Sequence, residues 1–234
     1  TFSEFPQAAH AVQQILDSGH LPSALEITDG FTLQAARDYL GPGALPEGDA
    51  HLIVEIDGRR SAVTSEREEL ARLLEGLGAL TMEHHPDDEA CEKIWQLRRD
   101  FSYSLRDTGL TKLNEDVVVP RSRLVELVEF AHSLQEETGI AIACFGHAGD
   151  GNIHTNLMVK DYEDPSIRAQ ADRALDRLFT WILENQGVIT GEHGVGLAKK
   201  RWFADAVGRE GVTTHAAIKT ALDPRGILNP GKFI

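Results

Sequence analysis

Apolar positions recur along the chain at two periods, and the change from one period to the other sorts the first two thirds into short strands and longer helices. Ala24–Thr28, His51–Ile56 (HLIVEI), Ala79–Glu83 and the β-branched Asp116–Val119 read as strands. Phe31–Leu40 has helical spacing, and the turn-rich stretch GPGALPEGD (41–49) ends it. A capping pattern after Thr64 opens a second helix from Ser65 to Gly76. Pro86, followed by Asp87, Asp88 and Glu89, opens a long third helix, because acidic groups suit a helix N-terminus, and Pro120 opens a fourth through Thr138. This alternation would also suit a parallel sheet, but the strands are short and none is followed by a Gly-rich phosphate loop. The pattern therefore predicts an α+β fold, a ferredoxin-like antiparallel sheet with helices packed on one face. A helix over 164–185, the loop VITGEHGVG (188–196), a further helix and the tail LDPRGILNPGKFI (222–234) complete the chain as a helical C-terminal extension.

AIACFGH (141–147) and NIHTNLMV (152–159) flank Ala-Gly-Asp-Gly, which predicts a β-hairpin with Asp150-Gly151 as a type I′ turn. In that register His147 lies opposite His154, with Cβ atoms about 5 Å apart, near enough for both imidazoles to bind one metal ion. Asn152 and Asn156 share their face, while Ile153, Leu157 and Val159 turn to the other. A divalent ion needs a third protein ligand. Glu192 in Gly191-Glu192-His193-Gly194 is the candidate, its flanking glycines allowing close backbone approach and its neighbour His193 turned toward a substrate. Two satisfied surface histidines and a helix-opening glutamate remain the structural alternative. The donor set suits Zn foremost, and also Mn, Co or Fe.

In the helix from Pro86, Cys91, Ile94, Phe101 and Leu105 form an apolar stripe, and Arg98 falls inside it. An inward guanidinium must be paired or must meet an anion. Either a structural salt bridge holds it, or it captures a substrate carboxylate, with Ser102 one turn along and Lys112 as further donors.

Composition narrows the function. With 37 acidic and 23 basic side chains the net charge is −14, which opposes nucleic acids and anionic lipid. No apolar run approaches the roughly 18–20 residues that cross a bilayer, and TFSEFPQAAH lacks the marks of a signal peptide, so the chain reads as cytoplasmic. Cys91 and Cys144 are too few for a disulfide scaffold and lack metal-ligand spacing. A start at Thr1 reads as a processed product or an excised part of something longer.

Taken in order, CFGHAGDGNIHTN (144–156), ITGEHGVG (189–196) and DPRGILNPGKFI (223–234) resemble the C-terminal region of FAD-linked oxidases of the vanillyl-alcohol oxidase superfamily, in the D-2-hydroxyacid dehydrogenase branch. The resemblance runs from Ala24 to Ile234. It implies a cap or substrate domain (1–186) and a helical segment (187–234) that returns to a flavin domain. It implies metal binding by His147, His154 and Glu192, His193 as catalytic base, and Arg98, Ser102, Lys112 and Asn156 at the substrate. Asn229 is implied at the cofactor. The expected activity is oxidation of a D-2-hydroxyacid such as lactate, 2-hydroxyglutarate or glycolate, with FAD held mainly by a domain outside this chain, so that the chain alone does not turn over. Separated from that domain, the tail residues Ile227, Leu228, Phe233 and Ile234 are expected to be mobile or to drive self-association, for instance as a homodimer. The rival readings are a free-standing metal-dependent hydrolase and a non-catalytic acid-binding or docking module.

Overall fold

Alternation along the strands sends one set of side chains to each side of a single five-stranded sheet. The computed structural model, which describes residues 1–232, contains β1 (Ala24–Asp29), β2 (Ala50–Glu55), β3 (Thr111–Val118), β4 (Ala141–His147) and β5 (Asn152–Val159). They run in the order β2-β1-β4-β5-β3 with every neighbouring pair antiparallel. The α+β class and the antiparallel sheet are those the pattern predicts.

Leu25, Ile27, Val117, Ile142, Ile153 and Leu157 point to one side and form the main core with α1 (Phe5–Asp17), α5 (Leu124–Thr138) and α6 (Pro165–Glu184). On the other side Ala143, Phe145 and Met158 meet Phe31 and Ala35 of α2 (Gly30–Leu40) and Leu105 of α4 (Asp88–Asp107). Helices thus occupy both faces rather than one. The stripe on α4 has its own apolar patch of sheet to cover, and beside that patch the face turns polar: Glu26, Asn114, Asp116, His147, Asn152, His154 and Asn156 line it. An apolar helix cannot be laid over such a surface without burying unpaired polar groups.

Four local expectations are corrected. Helix α1 lies where no element was expected, although Phe5, Ala8, Ala9, Val12 and Ile15 have helical spacing behind Pro6 and are all buried. Helix α3 (Arg60–Gly76) begins before Ser65. Ala79–Glu83 joins no sheet, because Leu80 spends its amide on the Thr1 carbonyl at 2.9 Å. β3 begins at Thr111 instead of Asp116, which carries Lys112 and Asn114 into the sheet on the face of Asp116. At the far end α7 (Lys200–Leu222) is kinked at Gly208, and only Trp202 and Phe203 within it are buried.

The hairpin register also differs. His147 pairs with Asn152, and His154 lies opposite Phe145. The turn spans four residues because the Gly149 amide donates to Leu25 O of β1 at 3.1 Å, so it is unavailable to Asn152. This shift is by two positions, and a period-2 strand returns each side chain to the same face after two. The histidines therefore stay neighbours, diagonally, with ring centroids 6.2 Å apart. Gly151 closes the turn at φ +82°, where an added Cβ would stand 2.1 Å from Val119 O. Gly151→Ala is expected to lower stability by at least about 1–3 kcal/mol, read as a lower urea midpoint; an unchanged midpoint would contradict this packing.

Candidate functional site

The loop carrying Glu192 and His193 is anchored by a carboxylate more than seventy residues away in sequence. Asp116 Oδ2 accepts hydrogen bonds from the amides of Gly191, Glu192 and His193 at 2.9, 2.8 and 2.9 Å, and from Thr190 Oγ1 at 3.0 Å. Its Oδ1 accepts from Asn152 Nδ2 at 2.7 Å. Burial would raise the pKa of this fully buried acid, but the bonds from Asn152 and from the His193 and Glu192 amides outweigh it and hold the carboxyl far below its usual range. Gly191 permits the approach: a Cβ there would fall 2.0 Å from Asn152 Nδ2. Lys199, itself buried, donates to Asp116 O at 2.9 Å and ties the end of the loop to the same strand.

With the loop docked, one ligand atom from each of His147, His154 and Glu192 lies within 4.8 Å of the others. His147 Nε2 stands 3.2 Å from Glu192 Oε1. His147 Nδ1 meets Glu26 Oε1, and Glu26 Oε2 accepts from Arg98 Nε at 2.6 Å. The hydrogen bond to Glu26 raises the His147 pKa above its ordinary value. Burial would raise Glu26, yet the His147 bond and the charge of Arg98 keep it below the usual carboxylate value. Burial pushes His154 down to about 4, so this imidazole is neutral at physiological pH, and its Nδ1 is buried with no hydrogen-bond partner. His193 stacks on His154 at 5.3 Å between centroids, with Asn114 Nδ2 3.4 Å from its Nδ1.

A cationic corner adjoins these rings. The Arg98 guanidinium sits 4.8 Å and Lys112 Nζ 5.6 Å from the centroid of Phe145, the residue paired with His154. Lys112 Nζ donates to Ser102 Oγ at 3.0 Å, and burial lowers the ammonium to about 8. Asn156 shares this face but is fully buried; its Nδ2 donates to Ala143 O and His154 O, while its Oδ1 has no partner. Asn229 lies elsewhere, in the loop after α7 with φ 45°. Ile227 and Leu228 of that loop are exposed, and Phe233 and Ile234 lie outside the described residues.

The family of FAD linked oxidases, C-terminal domain, matches residues 1–233. The chain belongs to this family. Among curated relatives of this FAD-linked oxidase domain, the glycolate oxidase subunit GlcD of Bacillus subtilis is 31% identical over 232 residues, covering 99% of this chain and 49% of that protein. A D-lactate dehydrogenase of Anaerostipes hadrus is 28% identical over 226 residues, covering 91% and 46%. The domain thus spans about half the length of the curated relatives it matches. Its fold is shared by 4-ethylphenol oxidase from Gulosibacter chungangensis, at TM-score 0.71 and 17% identity over 99% of this chain and 52% of that one. It is shared also by p-cresol methylhydroxylase, at TM-score 0.65 and 15% identity over 100% and 51%. No helix among the described residues is long and apolar enough to cross a membrane.

In this oxidase domain the eight residues other than Asn229 that were singled out for the site share one sheet face and the elements beside it. Three contributors were missed: Glu26, Asn114 and Asp116. Each is a polar residue beside apolar neighbours in a strand, Glu26 between Leu25 and Ile27 and Asp116 before Val117, and that interruption was the available signal. Removing the Asp116 charge tests the anchor. Asp116→Asn is expected to cost about 2–3 kcal/mol and to speed amide exchange at Glu192 and His193. Because the folded pKa lies below the unfolded one, this stabilisation is present above about pH 4 and is lost only as pH falls further. Unchanged exchange at those amides in the variant would contradict the anchoring.

Proposed function

We propose that this domain binds a divalent cation and a D-2-hydroxyacid and presents the acid to FAD held by a further domain of the same oxidase. The convergence of His147, His154 and Glu192 beside the Arg98–Lys112 corner supports it most. The residues suit a cation. Two imidazoles and a carboxylate form a borderline set for Zn, Mn, Co or Fe, His154 keeps a neutral ring with an orphan nitrogen, and a set of three leaves room for substrate oxygens. FAD is assigned to this oxidase through the family, and Asn229 is the contribution proposed from this chain.

The chemistry supplied by these groups, when bound, is polarisation of the substrate hydroxyl by the cation and acceptance of hydride by FAD. The chain's own residues do the rest. Among the described residues only Nε of Arg98 is engaged, so its terminal nitrogens remain to grip a carboxylate, with Lys112 and Ser102 alongside. His193, steadied by the His154 ring and by Asn114, takes the hydroxyl proton. Fixing the acid at one end and the hydroxyl at the other leaves Cα facing the open side of the site, where Glu192 and His193 are exposed. Family membership favours this oxidoreductase over a free-standing hydrolase.

The protein carrying both domains is expected to reduce an artificial electron acceptor with D- but not L-2-hydroxyacids. Arg98→Met should lower its kcat/KM by about 10- to 100-fold, or ~1.5–3 kcal/mol. Equal turnover of both enantiomers, or an unaffected Arg98→Met variant, would contradict the reading. Cation affinity should rise with pH, with a slope of about one proton, as His147, its pKa raised by Glu26, loses its proton, and His154 should not contribute until pH falls toward about 4. On lowering the pH, loss of affinity therefore sets in earlier than it would for an unperturbed histidine ligand. A Zn2+ titration from pH 5.5 to 8.5 checks this, and a flat profile would argue against His147 as a ligand.

A further inference from the structure

Both oxygens of Glu26 are taken by groups of the site. One meets His147 Nδ1, and the other accepts Arg98 Nε at 2.6 Å. We infer that Glu26 is the positioning residue that selects which nitrogen of His147 faces the cation; this rests on the cation reading above.

An imidazole can present either nitrogen, and a ring flip exchanges them. Glu26 claims Nδ1 as a donor, which directs Nε2 toward Glu192 Oε1, 3.2 Å away, and so into the group formed with His154. A carboxylate behind a ligating histidine fixes its tautomer and raises its basicity. Glu26 can serve only as an anion, yet its side chain is 3% exposed, and an uncompensated carboxylate at that depth is costly. Arg98, 11% exposed and seated over Phe145, supplies the balancing charge. His147 is 39% exposed and does not need Glu26 to satisfy burial of its own, so the contact is better explained by orientation than by compensation. One buried carboxylate thereby fixes the cation ligand and the acid-binding guanidinium relative to each other, across strands β1 and β4 and helix α4.

The test uses the full chain, with Zn2+ affinity at pH 7.5 read by competition with a chromophoric chelator and the His147 tautomer read by 15N NMR of its ring. Glu26→Gln removes the charge and keeps the shape. It is expected to weaken Zn2+ binding 10- to 100-fold, to lose the Nδ1–H tautomer, and to cause no further loss on a His147→Ala background. Should Glu26→Gln fail to fold, Glu26→Asp, which keeps the charge but is one methylene too short to reach both partners, is expected to give the same two changes. If the wild type binds Zn2+ and His147→Ala impairs binding, but the folded Glu26 variant binds within twofold of wild type with an unaltered tautomer, the inference fails while the cation reading stands. Equal weakening on the His147→Ala background would also overturn it. A wild type that binds no divalent cation brings down the cation reading and this inference with it.

Discussion

The position of Glu192 and His193 in the site depends on Asp116 gathering three successive backbone amides. Those amides, from Gly191, Glu192 and His193, belong to a loop that joins the last two helices and pairs with the end of β3 at Val188, opposite Val118, before it reaches the hairpin histidines. A buried carboxylate that is not hydrogen-bonded is among the most unfavourable groups a protein can contain. Asp116 is satisfied chiefly by docking that loop, so the cost of burying the charge becomes the force that closes the site. Asn152 and Lys199 complete the anchor from the hairpin and from the end of the loop. Glu26 repeats the arrangement on the opposite side, where His147 and Arg98 satisfy it. Two buried anions, one on β1 and one on β3, thus flank a hairpin whose histidines lie between them.

This explains why the apolar layers stop where they do. Among the described residues the sheet carries α1, α5 and α6 on one face and α2 with α4 on the other, because the remainder of that second face is a lattice of charged and amide groups that must keep access to one another. Beside Glu26 and His147 a shallow cleft, lined also by Leu21, Trp95, Arg121 and Asp150, runs along the start of β1 and the hairpin turn. The open side faces outward in a domain that spans about half of its relatives' length.

Much of this was legible in the residues. Strand alternation put His147, His154, Asn152 and Asn156 on one face, and this outcome survived an incorrect turn because register errors of two positions preserve sidedness. Arg98 stood out as a charge within an apolar stripe, and the structure pairs it with Glu26 through Nε. What could not be read was long-range pairing. Nothing local to Glu26 or Asp116 says which distant amide or ring will meet them, and the first half of β3 was obscured because Glu115 interrupts its alternation to meet Lys199 on the far face. The α1 stripe was local and readable; its alanines are weak apolar signals individually.

Two buried carboxylates bring His147, His154 and Glu192, from separate segments, to one point. Anomalous diffraction from crystals of the protein soaked in Mn2+ or Zn2+ tests it most directly. A single peak bounded by His147, His154 and Glu192, with the loop still held on Asp116, is the predicted result. A soaked crystal with that loop docked and no peak among the three side chains would contradict the account.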